Sequence, residues 1–403
     1  MYFFTNSFPY GIGEQWKINE LSILSRHFKN IEIIPYQYDG IYTPKKIGPE
    51  NIVVSKPLFH DNSIIVNRSA LFRILFSGYF FYFIREFFKK KVFSNKSTMK
   101  AFFSDAVKTY RLASHPEVTR LLKEQDANTV FYFFWGKGSC LLVPLLKKKI
   151  RGKIVVRFHG FDLYEYRNNN YIPFRTQLLK SIDKALVISN NGAQYLGSKY
   201  PSVQEKLMLN RLGTMEKGKS EQSSDGVLRI YSCSALIPLK RILLLANALK
   251  LLMIKVSWTH IGDGPQKEAL QQIIQSFPSN IRARVTGWVS PEKVTGYYVG
   301  QQCDLFINVS ETEGIPVSIM EAFSAGIPAL ATNVGGVSEI VTNQNGRLLD
   351  AELSAFQVAF EIARFQMLSK EQRQTLRDDA YNTFRHYFNA DNNAQDLATI
   401  CIS

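Results

Sequence analysis

Two glutamates, Glu313 and Glu321, sit eight positions apart in the stretch SETEGIPVSIMEAFSAGIPALATNVGGVSEIV at 310–341. Carboxylates accept hydrogen bonds from paired sugar hydroxyls, and eight helical positions cover roughly 12 Å, about the reach of a nucleotide sugar from ribose to hexose. Gly314 permits a tight turn. Pro316 suits the first position of a helix, where its missing N–H leaves nothing unpaired. Ser318 to Ala325 can continue that helix, and Gly326 with Pro328 ends it. The apolar run LFINVS at 305–310 reads as a buried strand leading into the turn. Strand, glycine turn and helix start together aim free backbone N–H groups at one point, around Gly314, Ile315 and Val317. The positive end of the helix points there too, which suits a diphosphate. One glutamate could then hold a ribose and the other a sugar. An isolated pair at this spacing is usually two solvated residues on an ordinary helix. The glycines, the preceding strand and the A-G-I-P turn favour the site.

Such a site needs a scaffold that presents loops at one edge. Strands are expected at Tyr2–Asn6, Ile31–Tyr36, Thr129–Trp135, Lys153–Phe158, Lys184–Ser189 and Lys206–Gly213, and in the second half at 228–234, 255–262, 283–289, 305–310 and 328–334. Helices fit between them, from Glu14–Phe28 to Ala355–Met367 and Lys370–Phe388. Alternation of this kind implies an α/β fold with two mostly parallel sheets, and ligands of such sheets sit at the carboxyl ends of the strands. The polar run EKGKSEQSSDG at 216–226 is the expected boundary. It gives a Rossmann-like domain at 1–215, a linker at 216–226, a second Rossmann-like domain at 227–380 and a terminal helix and tail at 381–403. Residues 40–66 are mixed in composition and poorly periodic.

The run E-G-I-P-V-S-I-M-E-A, followed by A-G-I-P-A-L-A-T-N-V-G-G-V-S-E-I-V, resembles the E-x7-E signature of retaining GT-B glycosyltransferases. The match is nearest to the large group called family 4, or glycosyl transferases group 1. The resemblance implies an N-terminal acceptor domain and a C-terminal nucleotide-sugar domain facing a cleft, with the last helix crossing back through Phe384, Tyr387 and Phe388. It implies Glu313, His159 and Lys240 as catalytic residues. His159, in R-F-H-G-F-D, would hold the transferred sugar from the opposite domain, and catalysis would need the domains to close. Asp162 and Glu14 would lie on the acceptor side. Glu321 would bind ribose. The loop containing Gly11 and Gly13 would approach the donor phosphates, and Trp288 with Val289 would hold the base through backbone. Related proteins carry G-R-x-x-x-x-K-G. Here Lys240 matches, Ala235 replaces the arginine, and Arg241 is the candidate substitute. Gly262, Asp263 and Gly264 read as a structural turn, Gly335 and Gly336 as a close-packing pair, and Glu339 as their support. No D-x-D is placed to hold a metal, and no cofactor is expected beyond the nucleoside diphosphate sugar substrate. The implied reaction moves a sugar from a UDP- or GDP-type donor to a glycan or lipid-linked acceptor of bacterial surface polysaccharide synthesis. The alternatives are a nucleotide-sugar epimerase or hydrolase of this fold, and a nucleotide-binding protein without turnover.

With 403 residues, 45% hydrophobic and 21% charged, the chain has room for two buried cores. Its four cysteines are scattered without metal-like or disulfide-framework spacing and read as reduced thiols. No secretory signal is apparent at Met1, so a cytoplasmic location is expected. The net charge is +15. Arg68 to Lys108 carries nine Lys or Arg against Glu86 and Asp105, a net +7. That segment is also aromatic, and its longest uncharged run, Ile74 to Ile84, is too short to span a bilayer. It reads either as a contact for anionic lipid at the inner face of the plasma membrane or as core helices with basic outer faces. No nucleic-acid motif accompanies the charge, so no nucleic-acid partner is expected.

Overall fold

Continuous apolar runs such as VFYF at 130–133 and IVV at 154–156 cannot present a polar face, so they are buried on both sides, as parallel strands covered by helices require. The computed structural model describes residues 1–10, 14, 17–38, 47–59 and 68–403. Chain contacts divide it into two units, Met1–Asn210 with Ala394–Ser403, and Arg211–Asn393.

The first unit contains β1 (Tyr2–Thr5), β2 (Ile31–Pro35), β3 (Ile52–Val54), β4 (Val130–Phe133), β5 (Lys153–Phe158), β6 (Lys184–Val187) and β7 (Leu207–Leu209). They form one parallel sheet in the order β3-β2-β1-β4-β5-β6-β7. Phe3 pairs with Ile33 on one side and with Tyr132 on the other. Phe133, Val156, Phe158 and Leu178 are among the residues of its core. The segment expected as one aromatic-basic unit is three helices, Arg68–Leu75, Phe80–Lys89 and Lys96–Ala113. Each sends residues inward (Ile74, Phe83, Phe102, Val107), yet Phe72, Phe76, Phe81, Phe88 and Phe93 remain exposed.

The second unit contains β8 (Leu228–Cys233), β9 (Val256–Ile261), β10 (Ile281–Val285), β11 (Leu305–Asn308), β12 (Ala329–Thr332) and β13 (Gly346–Leu349). The order is β10-β9-β8-β11-β12-β13, again parallel. Ile230, Trp258, Leu305, Ile307 and Ile362 build its core. The strand order reverses direction at β8/β11, the place where open α/β sheets bind ligands.

Several expectations need correction. The strand expected at 283–289 is Ile281–Val285. Gly287, at φ 75°, takes a left-handed conformation that a strand does not continue, so Trp288 and Val289 belong to the following loop. Pro316 is the residue before the helix Val317–Ser324, with an extended ψ of 120°. The helix expected to run to Phe388 does so, its last five residues, Phe384–Phe388, being π-helical, and a further helix, Ala390–Ile402, follows it. Phe384 and Phe388 are buried in the second unit. Ala394–Ser403 is the part grouped with the first. The residues at 216–226, expected as a linker, also lie in the second unit. Ser220 N–H donates to Ala325 O at 2.9 Å, and Arg377 donates to Ser220 O at 2.5 Å. Gly11 and Gly13 lie outside the described residues.

Candidate active site

The loops after β8, β9, β10, β11 and β12 all leave the carboxyl edge of the second sheet. They are fastened to one another mainly by backbone. Gly262 and Gly264 follow β9 at φ 150° and 156°. A Cβ on Gly262 would stand 1.9 Å from Ser234 O, so only glycine lets these two loops touch. Gly262 N–H donates to Gly287 O at 3.0 Å, tying in the loop that carries Trp288. Glu311 N–H donates to Leu239 O at 2.9 Å, and Gly336 N–H to Gly314 O at 2.9 Å. A Cβ on Gly335 would lie 2.0 Å from Glu313 O. The Gly335–Gly336 pair therefore sets the path of the 313–315 turn itself, a closer role than the helix-to-sheet spacing expected of it.

Within this frame Lys240 reaches Glu313, with Nζ 2.5 Å from the carboxylate. Asn308 Nδ2 lies 3.4 Å from the same carboxylate. Both members of the ion pair retain some exposure, 22% for the lysine and 11% for the glutamate side chain. Val317–Ser324 begins with no side-chain cap, and its Ile319 and Met320 N–H groups turn back to Pro316 O at 3.1 and 3.3 Å. Glu321 lies one turn further along that helix. Burial raises its carboxyl from the ordinary 4.5 to about 8, with Lys217 offsetting this weakly. Its neighbours are Cys233 and Tyr298, whose proton release its charge opposes. Trp288 is 61% exposed.

Arg241, the candidate substitute for the arginine missing at Ala235, is engaged by the chain itself. Its backbone is left-handed (φ 49°), and its guanidinium donates to three carbonyls: Val309 O at 2.5 Å, Ala351 O at 2.9 Å and Ser310 O at 3.2 Å. It braces the loop that carries Glu313. Sequence reasoning missed this, and it missed Asn308, Cys233 and Tyr298. The one available signal was a polar Asn at the end of an otherwise apolar strand.

The residues expected in the first domain gather at the carboxyl edge of the first sheet. Glu14 accepts from Ser7 N–H at 3.0 Å, Phe8 N–H at 2.8 Å and Trp135 Nε1 at 2.7 Å, and pairs with Lys17. Burial alone would raise its carboxyl, but Lys17 and these donors hold it below the usual range. The Lys17 ammonium is lowered to about 8, chiefly by burial, against the pull of Glu14. Asp162 accepts from Gly136 N–H at 2.6 Å and His159 N–H at 2.8 Å. The His159 ring stacks on Phe134 (4.7 Å between centroids) and Trp135 (4.4 Å), and Nδ1 is 3.7 Å from Asp162. It is 6% exposed, and neither ring nitrogen has a hydrogen-bond partner among the described residues. Burial lowers its pKa, with Asp162 acting against this, so the ring is neutral. Beside these residues lies a cavity of about 400 Å³ lined by Asn6, Tyr36, Trp135, Lys137, Ser139 and Phe161, among others.

Residues 215–383 match the family model described as Glycosyl transferases group 1. The chain is 27% identical over 264 residues to the putative colanic acid biosynthesis glycosyltransferase WcaL of Escherichia coli (strain K12), covering 62% of this chain and 64% of that protein. It is 33% identical over 175 residues to the putative teichuronic acid biosynthesis glycosyltransferase TuaC of Bacillus subtilis (strain 168), 43% of this chain and 41% of that one. Among solved structures, the lipopolysaccharide outer core galactosyltransferase WaaB in its apo form superposes with a TM-score of 0.66 at 14% identity, over 99% of this chain and 98% of that one. Anabaena Alr3699/HepE in complex with UDP and glucose gives 0.62 at 14%, over 99% and 98%.

Proposed function

The chain has the GT-B fold and carries a glycosyl transferases group 1 domain over residues 215–383, and from that premise we propose that it transfers a sugar from a nucleoside diphosphate donor to a glycan or lipid-linked acceptor, with retention at the anomeric carbon. The observation that carries this reading is the Lys240–Glu313 pair beside the uncapped start of Val317–Ser324. The named activities of WcaL and TuaC, both in polysaccharide biosynthesis, support an acceptor of that class. The UDP and glucose of the Alr3699/HepE complex support a nucleotide-sugar donor.

In the proposed reaction the bond from the anomeric carbon to the diphosphate oxygen breaks, and the acceptor oxygen bonds to that carbon on the same face. The acceptor's proton passes to the departing phosphate oxygen. Lys240 and the N–H groups of Ile315 and Val317 stabilise the charge that builds on the diphosphate. The diphosphate therefore competes with Glu313 for the Lys240 ammonium, which frees Glu313 to take hydroxyls of the donor sugar. Glu321 accepts from the ribose. The loop of Trp288 and Val289 takes the base. His159 takes a hydroxyl of the transferred sugar through a ring nitrogen, and the reaction needs no metal. The aromatic-basic helices between Arg68 and Ala113 hold the protein at an anionic membrane surface, where a lipid-linked acceptor resides.

The test is thermal unfolding with UDP, GDP, ADP and CMP, on wild type and Lys240→Ala. A ligand at a hundred times its dissociation constant stabilises by about 2.7 kcal/mol, a shift of a few degrees for a chain of this size. The expected result is a shift with one diphosphate that the variant loses. No shift with any of them would overturn the assignment of the donor site. Turnover that disappears in EDTA and returns with magnesium would overturn the metal-free reaction.

A further inference from the structure

Helix Phe80–Lys89 packs inward through Phe83 and Glu86, while Phe81, Arg85, Phe88 and Lys89 are exposed. The exposed positions 81, 85 and 88 fall on one face at helical spacing. Phe81 is 79% and Phe88 62% exposed, although each would gain about 2 kcal/mol or more from burial of its ring. Between this helix and Arg175–Ser181 lies a cavity of about 340 Å³. Phe81 and Tyr82 supply apolar wall, and Arg85, Lys89, Lys90 and Lys180 supply four cations. The single acid lining it, Glu86, is committed elsewhere. Its carboxylate accepts from Gln177 Nε2 at 2.7 Å, Phe174 N–H at 3.2 Å and Tyr171 OH at 3.3 Å. Among the described residues no carboxylate forms an ion pair with Arg85, Lys89, Lys90 or Lys180. Four cations around one concave site, with no acid assigned to them, select a doubly or singly charged oxyanion.

We propose that this cavity binds the phosphate of an anionic lipid headgroup, with Phe81 and Phe88 entering the acyl boundary beside it. The apolar rings select a lipid over a free phosphate, because a soluble anion would leave them in water. The site rests on the proposed membrane contact and adds a discrete headgroup position to it.

The experiment is flotation of the full chain with phosphatidylglycerol-containing and pure phosphatidylcholine vesicles at moderate salt. It compares wild type, Arg85→Gln with Lys180→Gln, and Phe81→Ser with Phe88→Ser. All substituted side chains are on the surface, and circular dichroism checks that each variant is folded. The expected result is binding to the anionic vesicles only, weakened about thirtyfold by loss of the two cations, at roughly fivefold per charge near the surface. The serine pair should abolish it. Variants without Arg85 and Lys180 that bind as tightly as wild type would overturn the headgroup site while leaving a diffuse membrane contact standing. Wild type that does not float would overturn both. Stabilisation by inorganic phosphate equal to that by short-chain phosphatidylglycerol micelles would overturn the lipid source. None of these readouts uses the nucleotide site, so failure here is separate from failure of the transferase reading.

Discussion

The same kind of edge, loops at the carboxyl ends of a parallel sheet, is built in two different ways in the two units. In the first, the charged groups are saturated by the chain itself. Glu14 has four donors and Asp162 two backbone N–H groups, while the His159 ring, stacked on Phe134 and Trp135, keeps both nitrogens without a hydrogen-bond partner among the described residues. In the second, the loops are fastened by glycine contacts and by Arg241, and the Lys240 and Glu313 side chains keep some exposure. A carboxylate that holds backbone N–H groups shapes a wall. A carboxylate whose loop is held by other means can meet a ligand.

The comparison breaks most visibly at Lys240. Lys240→Ala should lower kcat by about 100- to 1,000-fold, the usual effect of removing one donor to a developing anion. Its stability should change by less than about 1 kcal/mol, since the pair is partly exposed. Glu14→Ala should do the reverse. It takes the carboxylate away from the buried Lys17 charge and from two backbone N–H groups, so unfolding in urea should show a loss of about 3–5 kcal/mol. A small loss there would mean that the first edge is no more saturated than the second.

Gly335→Ala tests how the second edge is held. The added Cβ meets Glu313 O at 2.0 Å, and the residue must keep φ 56°. Turnover should fall by more than tenfold while the fold, read by circular dichroism, persists. Arg241→Ala should cost about 1.5–3 kcal/mol for its charged hydrogen bonds. Its donor affinity should fall only through loss of loop order. A variant that keeps full stability yet loses diphosphate binding would restore Arg241 as a direct ligand.

A separate test of the comparison is in pH. Glu321 titrates near 8 in the fold against its ordinary 4.5. Between those values the folded chain holds a proton that the unfolded chain has lost, so this group makes stability fall as pH rises from 4.5 to 8. The slope is at most about 1.4 kcal/mol per pH unit. Glu321→Gln should remove it. Lys17 is lowered from 10.5 to about 8, so the unfolded chain binds the extra proton there. Its contribution makes stability rise from pH 8 to 10.5. Denaturant midpoints across both windows would show whether the two slopes have opposite signs.

Much of the scaffold was legible because apolar strand runs and glycine turns are local signals. KIVVRF is β5 residue for residue, and LFIN is β11. The edge strands Ile52–Val54 and Gly346–Leu349 were not, since the first lies in the poorly periodic 40–66 stretch and the second opens on a glycine and an arginine. The Glu313–Glu321 spacing and Lys240 were likewise visible in the sequence, and the structure brings Lys240 to Glu313.

By itself the sequence determined the two-sheet α/β organisation, the glycine turns and the residue types that can hold a diphosphate and hydroxyls, because these follow from side-chain pattern along the chain. Only the tertiary structure decided which charges remain available. In sequence Arg241 stood as a candidate substitute beside Lys240, and Glu14 as an acceptor-side candidate. Yet Arg241 meets carbonyls of three residues 68 to 110 positions away, and Glu14 meets an indole 121 positions away. Hydrogen-bond partners so distant in sequence are fixed by packing, and no local pattern encodes them.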